Sequence, residues 1–263
     1  MPFLGFALVL TAAFCHATWN FFLKRINGGP ELVWLFSVIS VFLYLPVAIF
    51  ILVTEKPVFG VWEIIFIAGS AALHLGYFLL LQSGYRRGDL SLVYPTARAT
   101  GPFLSTTFAV VFLGETMTLQ LGLGAVAVIV GVVCLTGGFK SGAKHLTASI
   151  GFGVGAGLFI GSYTVWDAYA VSVLLVPPLL LDYVSLFGRA VLLAPIAARR
   201  KDIIKSQWRD HRTGVIAIAI FNPLAYILVL YAMTFTPVVY VAPTREISVL
   251  LTVLMGSLLL GEG

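Results

Sequence analysis

Long apolar runs, separated by short connectors rich in glycine, proline or charge, dominate this sequence. A helix of about 20 apolar residues crosses the roughly 30 Å hydrocarbon core of a bilayer. Strands of a membrane barrel would alternate apolar and polar residues, whereas these runs are continuously apolar. The pattern therefore predicts nine transmembrane helices, at residues 3–23, 32–53, 61–81, 92–113, 119–136, 150–170, 178–198, 214–232 and 239–260.

The composition agrees with a membrane protein and excludes a soluble one. Hydrophobic residues make up 60% of the 263 residues and charged residues 10%, and the mean hydropathy is +1.02. Soluble domains carry about 25% charged residues. A chain so poor in charge cannot cover its surface in water, which excludes a cytosolic enzyme or a nucleic-acid-binding protein. We expect the lipid bilayer as a partner and no nucleic acid.

Basic residues predict the orientation of the chain in the membrane. Twelve of the sixteen Lys and Arg residues lie in every second connector, and six of them lie in the connector 199–213. Lys and Arg concentrate in cytoplasmic loops. We therefore expect a multi-pass protein of the cell (inner) membrane with the connector 199–213 in the cytoplasm and the N-terminus outside.

The second half of the sequence repeats the first at an offset close to 147 residues. Five features recur in order: His16 with Tyr163, Trp19-Asn20 with Trp166-Asp167, Tyr77 with Tyr226, Arg98 with Arg245, and Gly114-Glu115 with Gly261-Glu262. The segment Val93-Tyr94-Pro95-Thr96 likewise matches Val241-Ala242-Pro243-Thr244. An ordered set of matches at nearly constant offset indicates an internal duplication.

The repeat sets the expected domain organisation. Residues 1–137 form the first repeat of five helices, 138–149 a linker, and 150–263 the second repeat. Because five is odd, the second copy is inverted in the membrane, as in many secondary transporters. Gly261-Glu262 has no counterpart of span 119–136 after it, so we expect four helices in the second repeat. The predicted fold class is an all-α polytopic bundle of two inverted five-helix repeats, the second lacking its last helix.

Arg98 and Arg245 are the most informative polar residues, because each lies six residues inside a predicted span. An arginine at the centre of a bilayer costs roughly 2.5–3.5 kcal/mol on insertion scales. Pro95 and Pro243 precede them, and each is expected to break its helix and expose amide donors. The pair is a candidate anchor for an anionic or zwitterionic substrate. The alternative is a structural role in ion pairs or at the membrane surface.

Other polar residues in the spans complete the predicted site. His16 and Asn20 share one helix face, and Tyr163 and Asp167 repeat that spacing in the second copy. Asp167 and Glu246 are candidates for proton coupling; alternatively, Asp167 lies in water at the end of its span and Arg245 merely neutralises Glu246. Further candidates for substrate contact are Trp19, His74, Tyr77, Tyr94 and Tyr226.

Several residues favour a structural interpretation. The stripes Ala68-Ala72-Gly76 and Gly153-Gly157-Gly161 are typical of close helix packing. Arg189 is predicted to pair with a residue on another helix, because Asp182 on its own face lies two turns away. Glu115 and Glu262 are interpreted as turn and repeat markers.

The segment Gly84-Tyr85-Arg86-Arg87-Gly88-Asp89-Leu90-Ser91-Leu92-Val93-Tyr94-Pro95, with its continuation to Gly114-Glu115, resembles the EamA family of the drug/metabolite transporter superfamily. The segment from Tyr240 to Gly261-Glu262 resembles a second EamA unit. This resemblance covers nearly the whole chain. It implies a ten-helix bundle around a central cavity and export of small metabolites or drugs.

The sequence favours a secondary transporter over two alternatives. No hydrolytic, nucleotide-binding or Cys/His motif occurs, and Cys15 and Cys134 both lie in apolar runs. We expect neither a metal nor a cofactor. We expect a small-molecule substrate moved either by ion coupling, with the proton as a candidate ion, or by facilitated diffusion. An intramembrane enzyme using His and Asp as acid and base, and an accessory subunit without transport, are the alternatives. Matched polar residues in both repeats favour the transporter.

Overall fold

A computed structural model describes residues 1–87, 90–135 and 146–260, and all regular secondary structure in these ranges is helical. The ten helices are α1 (Phe3–Ile26), α2 (Pro30–Thr54), α3 (Val61–Arg87), α4 (Leu90–Phe112), α5 (Leu119–Leu135), α6 (Leu146–Ser172), α7 (Pro178–Arg199), α8 (Lys201–Met233), α9 (Val238–Arg245) and α10 (Ile247–Leu260). The predicted all-α polytopic bundle is confirmed.

Seven helical segments in the described ranges are long and apolar enough to cross a membrane. They lie in α1, α2, α3, α6, α7, α8 and the combined segment Val238–Met255. The predicted spans 92–113 and 119–136 form helices α4 and α5 but fall outside this set. Arg98 and two internal prolines lower the hydropathy of α4, and the apolar part of α5, Leu119–Gly131, is shorter. At 23 residues, α4 still measures about 35 Å.

The ninth predicted span is interrupted at Glu246, which separates α9 from α10. Pro243 has no N–H to donate within the helix. Tight three-residue turns follow it, with Glu246 N–H donating to the Pro243 carbonyl (3.0 Å) and Val249 N–H to the Glu246 carbonyl (2.9 Å). The predicted break is thus confirmed at Pro243. It is wrong at Pro95, where α4 is continuous; this proline lies in the second turn, close to the helix start.

The basic connector 199–213, for which the sequence predicts an orientation but no secondary structure, is also helical. Helix α7 ends at Arg199 and α8 begins at Lys201, and α8 bends at His211, whose φ and ψ are −134° and 23°. Arg200 forms an ion pair of 3.0 Å with Glu31 in the first turn of α2. The basic residues of the connector 199–213 thus lie on a short exposed helical segment, and the Arg200–Glu31 ion pair joins this segment to the start of α2.

One group of three helices and one group of four helices form the centre of the molecule. Helix α6 packs against α3 and α4, and α1 packs against α8, α9 and α10, while α2 and α7 pack on each other. We call the first group (α3, α4, α6) bundle A and the second (α1, α8, α9, α10) bundle B. The sequence repeat places α1 on α6, α3 on α8 and α4 on α9–α10. Each bundle therefore combines helices from both repeats, a pattern that supports a two-fold relation between them.

The glycine stripe of α6 brings it close to α4. A Cβ added at Gly153, Gly157 or Gly161 would lie 2.5, 2.6 and 2.7 Å from the Cβ atoms of Thr96, Thr100 and Leu104 respectively. The α4 residues have the same spacing of four, so the two helices fit turn by turn. The packing interpretation is confirmed for this stripe. Of the α3 stripe, only Gly76 packs this way, against Phe159; Ala68 and Ala72 are exposed.

Substituting Gly157 by Ala should lower the melting temperature of the purified protein in detergent. The new methyl group would overlap Thr100 Cβ and lie 3.1 Å from the backbone nitrogen of Gly101, and overpacking costs about 1–3 kcal/mol. The control is Gly151→Ala on the same helix, where no atom lies within 4 Å of the added Cβ. Equal melting temperatures for the two variants would contradict the close packing of α4 and α6.

Candidate functional site

Asp167 on α6 is the centre of a buried polar cluster. The residue is 0% exposed. Its Oδ2 accepts a hydrogen bond of 2.6 Å from the Tyr226 hydroxyl on α8 and lies 2.9 Å from His74 Nε2 on α3. Among the described residues Oδ1 has no hydrogen-bond partner. The alternative that Asp167 lies in water at the end of its span is therefore wrong, because α6 continues to Ser172 inside the bundle.

Aromatic rings surround this carboxylate on one side. The His74 ring stacks on Tyr163 at 4.1 Å and meets the edge of Tyr226 at 5.0 Å. Tyr77 lies 5.9 Å from Tyr163, and Tyr163 lies 6.1 Å from Tyr226. The rings come from α3, α6 and α8, so both bundles contribute. Rings with one polar atom each can contact an apolar group and still offer hydrogen bonds.

Arg98 and Glu246 form a buried ion pair between the bundles. Arg98 Nη2 on α4 lies 2.8 Å from Glu246 Oε2 at the break between α9 and α10, and it donates a hydrogen bond of 3.3 Å to Ser248 Oγ. Neither Glu246 oxygen accepts a well-directed hydrogen bond from another described residue, so the contact is chiefly one of charge. Arg245 also acts on Glu246 electrostatically, but the residue in ion-pair contact with Glu246 comes from the other repeat.

Arg245, at the end of α9, is buried but differs from Arg98. Arg245 is 7% exposed, and its guanidinium forms no hydrogen bond or ion pair within the described ranges. Both arginines are close enough to His16 and Tyr163 to act on them electrostatically. The two symmetry-related arginines thus meet in one region, where Arg98 forms an ion pair with Glu246 and Arg245 forms none with the described residues.

The remaining predicted site residues lie at the margin of this cluster. On α1, Asn20 Nδ2 donates to the His16 carbonyl (2.7 Å) and lies 2.9 Å from His16 Nδ1. Trp19 packs with the apolar cluster that joins α1, α2 and α8, which favours helix packing over substrate contact. Tyr94 is half-buried, one turn before Arg98 on α4.

Two polar residues were not anticipated from the sequence. Ser248 accepts the hydrogen bond from Arg98, and Asn222 on α8 accepts one of 3.4 Å from Arg189 Nη2. The second contact confirms the prediction that Arg189 pairs with another helix. A signal for Asn222 was present, since it is an amide inside an apolar run next to Pro223.

Comparison with known proteins identifies the family. A sequence model of the EamA-like transporter family matches residues 3–137 and 147–263. The chain belongs to the EamA-like transporter family. It is a multi-pass membrane protein, as that family and the apolar helices indicate. None of the curated proteins compared with the sequence matches it.

The fold recurs in a solved structure. The crystal structure of another protein is similar, with a TM-score of 0.74 and 14% sequence identity, over 98% of this chain and 90% of that chain. At that identity the likeness concerns the fold alone. The EamA-like fold thus accommodates a very different sequence, and the polar cluster must be judged from the residues of this chain.

Replacing Tyr226 by Phe in this EamA-like protein should lower its melting temperature in detergent. Without the hydroxyl, the buried Asp167 carboxylate loses its shortest hydrogen bond and keeps only the contact with His74, and a hydrogen bond to a charged group contributes about 1.5–3 kcal/mol. Tyr231→Phe on the same helix is the control, because Tyr231 is exposed. Indistinguishable melting of the two variants would show that the Tyr226–Asp167 contact adds no stability.

Proposed function

We propose that this chain is a secondary transporter that exports a small anionic or zwitterionic molecule by alternating access. The observation that carries the proposal is the meeting of Arg98, Arg245, His74, Asp167 and Glu246 between two bundles that each combine both repeats. Ionisable residues are costly in a membrane and are found where substrates or protons pass. Inverted repeats that rock against each other around such a site are a common transporter design.

Arg245 is the proposed anchor for the negative group of the substrate. A guanidinium presents a planar fork of donors that matches a carboxylate or a phosphate. Its charge is strongest where water is scarce. Arg98 is a weaker candidate, because its Nη2 already lies 2.8 Å from Glu246. The ion pair of Arg98 supports the proposal that Arg245 is the substrate anchor and Arg98 a structural partner.

Asp167 is the proposed site of proton coupling. One oxygen of its carboxylate contacts both His74, which like Asp167 belongs to bundle A, and Tyr226, which belongs to bundle B. A proton arriving at Asp167 would remove the negative charge that attracts both groups and so loosen one contact between the bundles. Glu246 is the second candidate, since its carboxylate faces Arg98 across the same interface. Export would then proceed as protons enter.

An intramembrane enzyme is the alternative that the cluster itself suggests. His74, Tyr226 and Asp167 are acid–base groups within hydrogen-bonding distance of one another. The EamA-like family consists of transporters, and the cluster draws its residues from both repeats instead of concentrating them in one. Both points favour transport.

The exposed basic segment formed by the end of α7 and the start of α8 is proposed to face the cytoplasm, with the protein in the inner membrane of the cell.

A ligand-stabilisation screen on purified protein tests the anchor. Carboxylates, phosphates and zwitterions should raise the melting temperature of the wild-type protein, and the shift should disappear in Arg245→Ala. A buried charge-assisted hydrogen bond is worth about 1.5–3 kcal/mol, which corresponds to roughly a tenfold to hundredfold loss of affinity. Arg245→Lys should bind at an intermediate level, because it keeps the charge and loses the fork.

The control is Arg209→Ala, which removes an arginine whose ion pair with Asp210 is exposed at the protein surface. It should bind ligands as the wild type does. Ligands found in the screen are then loaded into proteoliposomes, where a proton gradient should drive their movement. Stabilisation only by neutral or cationic compounds, or undiminished binding to Arg245→Ala, would refute the anchor. Movement without any response to the gradient would refute proton coupling.

A further inference from the structure

Glu115 joins the two bundles at one surface of the membrane. It lies just after α4 in the first repeat, and its two carboxylate oxygens accept hydrogen bonds from the backbone N–H groups of Val238 and Val239, each 2.8 Å long. These are the first two residues of α9 in the second repeat. The contact is therefore made between bundle A and bundle B.

The first turn of α9 requires such a partner. The first four N–H groups of a helix have no acceptor within the helix. Val238 and Val239 are buried, so water does not replace one, and the residue before them, Pro237, makes no side-chain cap. A carboxylate also complements the positive end of the helix dipole. Glu115 thus supplies a cap that the local sequence of α9 lacks.

Gly114 directs Glu115 toward α9. Its φ of 67° lies in the left-handed region, which glycine adopts without strain and which commonly ends helices. The Glu115 N–H then donates to the Ala109 carbonyl at 3.2 Å, closing the end of α4. The Gly-Glu pair, interpreted from sequence as a turn marker, ends one helix and caps another.

Helix α9 is held by bundle A at both of its ends. Glu115 caps its first turn, and Arg98 contacts Glu246 directly after its last residue, Arg245. The first contact lies at the membrane surface that carries the connectors after α4 and α8. Alternating access requires the site to open to one surface at a time. The bundles cannot separate at this surface while Glu115 holds α9.

We propose that Glu115 is the latch that closes the site at this surface and positions the α9 segment that carries Arg245. The inference rests on the proposed transport function and adds the device that gates it. Opening toward this surface breaks the two hydrogen bonds to Val238 and Val239, and closing restores them. Glu115 acts through α9 and is a positioning residue, without substrate contact.

Accessibility of a buried cysteine tests the latch. Val239→Cys is introduced with Cys15→Ala and Cys134→Ser, and a membrane-impermeant maleimide is added from the side of the connector after α8. Val239 is 0% exposed, so labelling reports opening. Glu115→Gln keeps the size of the side chain but replaces an acceptor oxygen by a donor. It should raise the labelling rate roughly fivefold, the shift expected from losing a helix cap.

Two controls separate a latch from general stabilisation. Glu55→Gln removes an exposed carboxylate at the end of α2, on the same membrane side, and should leave labelling unchanged. A second reporter on the same membrane side, Ile51→Cys near the end of α2, lies buried in the cluster of α2, α7 and α8, and Glu115→Gln should not expose it. Unchanged labelling at Val239→Cys overturns the latch, and so does a parallel rise at both reporters. Because labelling needs neither substrate nor transport, a failure of the proposed transport activity is recognised separately.

Discussion

The ion pair of Arg98 and Glu246 is the interaction on which the arrangement of the site depends. Moving either charge alone from water into the low-dielectric interior costs several kcal/mol, and removing one partner of a buried pair costs about 3–5 kcal/mol. Each residue therefore needs the other to neutralise its buried charge. The ion pair places α4 of bundle A against the break between α9 and α10 of bundle B. The rest of the polar cluster assembles beside this contact.

The break in the ninth span follows from the same constraint. Pro243 leaves α9 without one helical hydrogen bond, and Glu246 occupies the turn where the chain changes course. In that turn its carboxylate is free to face α4. Arg245 then remains without an ion-pair partner among the described residues, although it lies in the equivalent position to Arg98. A duplicated sequence has thus given two arginines with different surroundings.

Much of the fold could be predicted from the sequence, because the bilayer imposes long apolar helices and the duplication is visible in spaced polar residues. The pairing of the polar residues could not. Arg245 and Glu246 are neighbours in sequence, but consecutive residues of a helix point about 100° apart, and the partner of Glu246 lies in the other repeat. The burial of Asp167 depends on α3 and α8 closing over the end of α6, which no local pattern encodes. The charges after Arg199 indicate topology and not secondary structure, but the helix there is visible in Ile204, Gln207 and Trp208, which share a face.

A double-mutant cycle on Arg98 and Glu246 tests the central claim most directly. Arg98→Met and Glu246→Gln are compared singly and together by thermal unfolding in detergent, with the fraction of folded protein measured on the same samples. If the pair organises the site, each single variant melts well below the wild type because it leaves one buried charge alone. The double variant then melts higher than the sum of the two losses predicts. Additive losses, or single variants that melt like the wild type, would contradict the account.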